Sequence, residues 1–427
     1  MSTRISVALV PIGLALAHLA FGANQTTAAL WLTAVLGVSL LVCLASPWRR
    51  GVYDIGPLAP VAILFIAVLG VSIWSLTALA PGGTHPLWAW ADASPAATTI
   101  DRSGTLLELV KLCGLAAVFL AGAFHGVRKD RGQATIDAVV WTGGIYAAIS
   151  LLTFLSGLQV AQGGRLSGGF LSFNNGATVF GVLTVLGLAV FLRTWRRKAG
   201  LGLTERLTAV AAPLSCFALT AICLLLTASR MGGASTLLGV AILMAWESKG
   251  SAGKRLGIIV AAALFLGLAL VLMLGGNDLL LTRVDDVGSD LAVRGQIFSA
   301  HWDAFLASPL LGYGLGSFDA VNLQIMTAEN AGALWAIRAT HNVYLQWLEE
   351  AGLLGALPMF GLILIILGFG VARALGKPMR TVQHGLVCAN LVVLAHGLTD
   401  YALQTPSIAA FWAFLLGIQF AFGQERG

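Results

Sequence analysis

Apolar residues fall in long unbroken blocks along this chain, where a soluble protein would show short alternating or amphipathic stretches. A helix that crosses a bilayer needs about 20 mostly apolar residues, because hydrocarbon offers its backbone no partner outside the helix itself. Blocks of that kind lie at about 5–22, 28–46, 57–80, 104–124, 136–157, 173–192, 207–228, 231–247, 256–274, 345–372, 381–400 and 405–422. The pattern predicts an all-α, polytopic membrane protein of about twelve transmembrane helices. Pro47, Pro57, Pro81, Pro213, Pro309, Pro378 and Pro406 lie at or near block ends, and Ser229-Arg230 makes a tight connection between two blocks. The chain divides into residues 1–274 with the first nine helices, a long loop with short helices over 275–344, and the last three helices over 345–427.

Composition sharpens this reading. Charged residues make up 10% of the chain, against roughly 25% in an average soluble domain, and the mean hydropathy is +0.87. Cys43, Cys113, Cys216, Cys223 and Cys388 all sit in apolar blocks, so neither a disulfide framework nor a zinc motif is expected. Laid on alternate sides of twelve spans, only seven cations reach one side: Arg102, Lys111, Arg165, Arg230, Arg283, Arg294 and Arg338. The other eighteen of the 25 Lys and Arg lie opposite, which assigns that side, with both termini, to the cytoplasm and predicts that the first span is retained.

The far side holds the chemistry. Its long loop carries Asp285, Asp286, Asp290, Arg294, His301, Asp303 and Asp319 among apolar residues. Arg294, Ile297, Phe298, His301 and Phe305 follow helical spacing, predicting a short amphipathic helix that ends at Ser308-Pro309, before a glycine-rich turn at Gly312–Gly316. Six of the seven far-side cations are arginine. Guanidinium presents a planar fork of donors that suits phosphate oxygens and stays charged when buried.

His341 opens the helix after the loop, with Thr340 as its expected N-cap. It reads equally as a capping-region histidine and as a general base, since an imidazole titrates near neutrality. Arg230, between two spans with almost no loop, calls for a partner or an anionic ligand. Arg165, in the flexible Gln162–Phe170 loop, reads either as a substrate ligand or as an interfacial side chain reaching headgroups. Arg294 by spacing alone is a solvated face of its helix. His396 and Asp400, four apart, read as a helix-orienting pair, Glu108 and Lys111 as a mutually neutralising pair, and His18 as a packed or interfacial histidine. Asp285-Asp286 has no third acidic ligand, so no metal site is expected. The span interiors lack the midplane charges of a coupled transporter, and no nucleotide-binding motif appears.

Three segments carry a resemblance: Arg294 followed by Ser308-Pro309-Leu310-Leu311-Gly312-Tyr313-Gly314-Leu315-Gly316; then Thr340-His341-Asn342-Val343-Tyr344-Leu345-Gln346 with Glu350-Ala351-Gly352; and, more weakly, Thr227-Ala228-Ser229-Arg230-Met231-Gly232-Gly233. In these the sequence resembles the O-antigen ligase/polymerase family. The resemblance implies a glycosyltransferase of the bacterial inner membrane, working on the periplasmic face without cofactor or metal. It implies an undecaprenyl-pyrophosphate-linked glycan as donor and a lipid A core sugar hydroxyl as acceptor (an O-antigen ligase). A polymerase using the same donor for O-antigen or exopolysaccharide stays open, as does a lipid-linked glycan transporter. Membrane lipids are partners; nucleic acid is not.

By the same resemblance His341 is the catalytic base, and Arg230 and Arg294 hold the pyrophosphate. Arg165 joins them, although the element after it, Phe170-Leu171-Ser172-Phe173-Asn174-Asn175, lacks the proline usual between the asparagines. Arg338, His301 and Tyr344 are further candidates.

Overall fold

The computed structural model describes residues 3–45, 56–81, 83–89, 97–159, 164–248, 279–375 and 381–424. Its helices are α1 (Thr3–Leu19), α2 (Thr26–Ala45), α3 (Leu58–Ser75), α4 (Arg102–Gly126), α5 (Lys129–Leu155), α6 (Phe173–Arg197), α7 (Leu203–Leu226), α8 (Arg230–Glu247), α9 (Leu279–Ala307), α10 (Phe318–Gln324), α11 (Ala331–Leu334), α12 (Val343–Ala374), α13 (Thr381–His396) and α14 (Pro406–Ala421). No strand occurs among the described residues.

Helices occupy eleven of the twelve expected blocks. Seven of them, α2 to α7 and α12, are long and apolar enough to cross a membrane, and 7–19, 381–396 and 406–421 are shorter apolar helices. The chain is a multi-pass membrane protein. The expected span at 256–274 lies outside the described residues, as do Arg49, Arg50, Lys249, Lys254, Arg255, Lys377, Arg380, Arg426, Pro47 and Pro378 and the side chains of Arg4, Arg283, Asp285, Asp286 and Asp290.

Burial identifies the centre of the bundle. The apolar window of α6 is 94% buried, whereas those of the other six candidate spans are 22–39% buried and keep a lipid-facing side. Around α6 pack α5, α7, α8 and α13; α14 lies against α4, and α3 against α12. The α4–α14 approach depends on Gly417, where a Cβ would overlap the Phe119 carbonyl, the close backbone packing that small residues allow in membranes. At the end assigned to the cytoplasm, buried Glu247 joins Arg196, His384 and Thr381, tying α6, α8 and α13 together.

Several boundaries differ from expectation for physical reasons. Helix α5 starts at Lys129 and α4 at Arg102, since a helix continues into the headgroup region where hydropathy has already fallen. Pro213 lies inside α7; membrane helices tolerate an interior proline when neighbours satisfy the freed carbonyl. The amphipathic helix expected from Arg294 is 29 residues long and starts at Leu279. Asn342 caps α12, its side chain accepting from the Tyr344 and Leu345 amides at 3.0 and 3.1 Å. Thr340 instead bonds the Asn342 backbone. Helix α13 ends at His396, which leaves Asp400 outside it, so the two do not form an i,i+4 pair on one helix.

Candidate functional site at one end of the bundle

The end of the bundle assigned to the far side gathers the starts of α6, α8, α12 and α14 and the 397–405 turn. The turn between α7 and α8 is short because Ala228 takes a left-handed conformation (φ 49°) and Ser229 caps α8 through the Gly232 amide. Arg230 is therefore the first residue of α8, and its side chain is exposed and not sunk between spans. Arg165 reaches the same turn: its Nε donates to the Thr227 carbonyl at 2.7 Å, while the Leu166 amide bonds the Leu226 carbonyl at 2.9 Å. The Arg165 guanidinium also lies over the Phe173 ring, 4.6 Å from its centroid, at the start of α6.

From α6 the contacts pass to the 397–405 turn. Asn175 Nδ2 donates to Thr405 Oγ1 at 2.7 Å, and Thr178 Oγ1 meets His396 Nδ1 at 2.7 Å. The Asp400 carboxyl lies beside the Asn174 side chain and accepts the Tyr401 amide at 2.7 Å. Burial lifts its pKa to about 6, opposed by those hydrogen bonds and by the charge of Arg294.

Arg294 and His341 complete the cluster. Arg294 is half-buried and donates to the Thr399 carbonyl at 3.2 Å. His341 sits in the loop before α12 with φ 55°, a left-handed backbone that non-glycine residues rarely take and that recurs at functional sites. Its ring meets the Tyr401 ring edge-on at 4.9 Å, and its buried Nδ1 has no hydrogen-bond partner among the described residues. Burial, and then the nearby Arg294 charge, pull its pKa from 6.5 to about 4. Both effects disfavour the imidazolium and favour the neutral ring. Asn342, the next residue, caps α12, and no loop carbonyl among the described residues bonds the buried Nδ1 of His341.

The two motif halves interlock. The Tyr313 and Gly314 amides bond the Glu349 and Glu350 carbonyls at 3.1 and 2.8 Å. The Gly316 amide donates to Glu350 Oε2 at 2.8 Å, and Gln346 Nε2 to Glu350 Oε1 at 2.9 Å. The glycine-rich turn is thus stitched to the first turns of α12. Gly352 (φ 57°) breaks the helix there, and a Cβ on it would overlap the Leu310 carbonyl. Gly352→Ala is expected to cost at least about 1–3 kcal/mol from backbone strain alone, read as a lower thermal midpoint of the detergent-solubilised protein.

The remaining candidates are dispersed. Arg338 is exposed and pairs with Asp319 at 3.5 Å. His301 is fully buried on Glu349. The Tyr344 hydroxyl donates to the Leu394 carbonyl at 2.8 Å. Glu108 and Lys111 pair as expected, at 2.5 Å, and His18 packs among Tyr146, Phe170 and Phe411. Tyr401 belongs to no sequence motif, Asn174 figures there only in the element after Arg165, and Asp400 is expected on a helix with His396. The available signal was a carboxylate next to tyrosine at the end of an otherwise uncharged block, which is costly unless used.

Next to the cluster lies a cavity of about 640 Å³ between α2, α3, α4, α12, α13 and α14. Val343, Tyr344, Gly397 and Gln404 line it close to His341, and the walls continue through Leu112, Phe119, Ile366 and Leu416 deep in the bundle. Its lining is mostly apolar, with Thr33, Glu108, Lys111, Tyr344, Glu350 and Gln404 as the polar exceptions.

Fold and site together define a multi-pass helical membrane protein with an arginine- and histidine-bearing site at one end of the bundle, beside an apolar cavity. Residues 214–360, about a third of the chain, match the model of the O-antigen ligase family, so this stretch is similar to that family, in line with the resemblance to the O-antigen ligase/polymerase family. The matched stretch contains Arg230, Arg294 and His341. Ligase- or polymerase-type glycan transfer is the activity this family implies. No curated protein matches the chain.

Proposed function

We propose that the protein transfers a glycan at the periplasmic face of the inner membrane, from an undecaprenyl-pyrophosphate donor to a sugar hydroxyl of a lipid A core. The observation that carries this reading is that His341, with an unbonded buried nitrogen, sits within reach of the Arg294 charge at the 397–405 turn. In the reaction the acceptor hydroxyl gives its proton to the unprotonated ring nitrogen of His341 as its oxygen bonds the anomeric carbon. The bond from that carbon to the pyrophosphate oxygen breaks, and its electron pair leaves on the undecaprenyl pyrophosphate. Attack opposite the leaving group inverts the anomeric centre.

The arginines stabilise charge where it develops. Arg294 stands beside the base; Arg230 opens a helix whose N-terminal amides also favour an anion. Arg165, held by Thr227 and Phe173, lies between that turn and α6. Preorganised donors of this kind act strongly in a partly desolvated site. The apolar cavity, with Val343 and Tyr344 of the helix that follows His341 in its lining, takes part of the donor's isoprenoid chain.

The test is product analysis by mass spectrometry with purified protein in detergent, a lipid-linked glycan and lipid A core, and no ion gradient. Glycan joined to the core is the expected result. Glycan joined only to a second lipid-linked unit would make the protein a polymerase with the same donor site. Movement of intact donor across vesicles without joining would overturn the transferase reading.

A further inference from the structure

Helix α9 brings Arg294 to the site and α12 follows directly from His341, so the geometry of the reaction depends on how these two helices are held against each other. Between them lies a buried contact outside the reacting cluster. His301 Nδ1 and Glu349 Oε1 are 2.8 Å apart, and both side chains are fully buried. His301 lies seven residues after Arg294, two turns along the same face and about 10 Å along the axis at 1.5 Å per residue. Glu349 lies eight residues after His341, again about two turns into its helix. The contact therefore sets the axial register of one helix on the other at a fixed offset from both functional groups.

The surroundings leave the pair little freedom. The His301 ring stacks on Phe318 at 5.0 Å and 21°. The Tyr313 amide bonds the Glu349 carbonyl, and the Tyr313 hydroxyl returns to the Ala304 carbonyl at 3.1 Å, closing a loop from α12 to α9 through the glycine-rich turn. An apolar pair of similar size would pack at this contact. A hydrogen-bonded one fixes distance and direction as well, at the cost of burying two polar groups.

We propose that the His301–Glu349 pair is a positioning clamp that holds Arg294 in register with His341 for glycan transfer. Neither residue touches the reacting atoms. The inference rests on the reading of Arg294 as a ligand of the donor pyrophosphate, since the clamp acts through that side chain. A misplacement of about 1 Å at a reacting geometry can cost about a hundredfold in rate.

The test is a rate cycle on the purified full-length protein with a lipid-linked glycan donor. Glu349→Ala and His301→Ala are expected to lower kcat/KM for the donor by about 10- to 100-fold. Glu349→Gln keeps an acceptor for His301 and is expected to stay within about threefold of the unmodified protein, because it loses the charge but not the contact. In an Arg294→Ala background Glu349→Ala is expected to cost almost nothing further, since the group it positions is gone. A merely destabilising change would multiply instead. If the alanine variants do not fold, Glu349→Asp shortens the clamp by one methylene and is expected to raise donor KM. Full multiplication of the Glu349→Ala and Arg294→Ala losses, or wild-type KM and kcat in Glu349→Asp, would overturn the proposal. Arg294→Ala with unchanged transfer would instead sink the underlying reading of the site.

Discussion

Replacing His341 with alanine or asparagine is expected to slow glycan transfer by about 10²–10⁴-fold, the contribution of a positioned acid or base. The two substitutions separate chemistry from backbone. His341 sits at φ 55°, a conformation that asparagine adopts more readily than most residues, so His341→Asn keeps or lowers the strain and still removes the base. Both substitutions remove the edge-on packing of the ring against Tyr401. Donor KM is expected to change little, because the phosphate contacts come from the arginines. Steady-state transfer with a defined donor and acceptor gives kcat and KM separately. An asparagine variant that turns over at the normal rate would remove His341 from the reaction.

What was legible in the sequence follows from which interactions are local. The apolar blocks predicted the helices, because hydrocarbon requires each span to satisfy its own backbone. His341 and Arg294 were visible as residue types at particular places, and the family's motif joined them. The contacts that give them meaning were not visible. Asp400 was read on a helix with His396, yet Gly397 and the residues after it turn the chain out, and Asp400 meets Asn174 more than 200 positions away. Arg338 looked like the other far-side arginines but projects outward to Asp319. Arg294 read as a solvated helical face, because the carbonyl that holds it belongs to Thr399. The glycine-rich turn announced itself by composition, but its partners, the Glu349 and Glu350 carbonyls, are specified only once α12 is in place.

Removing Arg294 is expected to act twice, and the pH profile tells the two effects apart. Burial and then the Arg294 charge hold His341 at about 4, so the free protein keeps its base unprotonated from about pH 5 upward. The acid limb of kcat/KM, which reports the free enzyme, is expected near pH 4, with activity falling about tenfold per unit below it. Arg294→Ala takes away a cation that disfavours the imidazolium, so the limb moves to higher pH, while burial keeps it below 6.5. Loss of the guanidinium also lowers the plateau by about 10²–10³-fold, as removal of one preorganised donor does. Arg294→Lys keeps the charge but not the fork, and so is expected to keep the limb near pH 4 with a reduced plateau. The donor makes the same argument in reverse. Its pyrophosphate brings negative charge next to Arg294 and so raises the basicity of His341, which puts the limb in kcat at higher pH than the limb in kcat/KM. Asp400, lifted to about 6, titrates in this window too, losing its negative charge as pH falls. Asp400→Asn is expected to erase an inflection near pH 6 and leave the one near pH 4. A kcat/KM limb that stays near pH 4 in Arg294→Ala would mean that the guanidinium does not govern the imidazole, and the coupling between base and phosphate ligand would have to be abandoned.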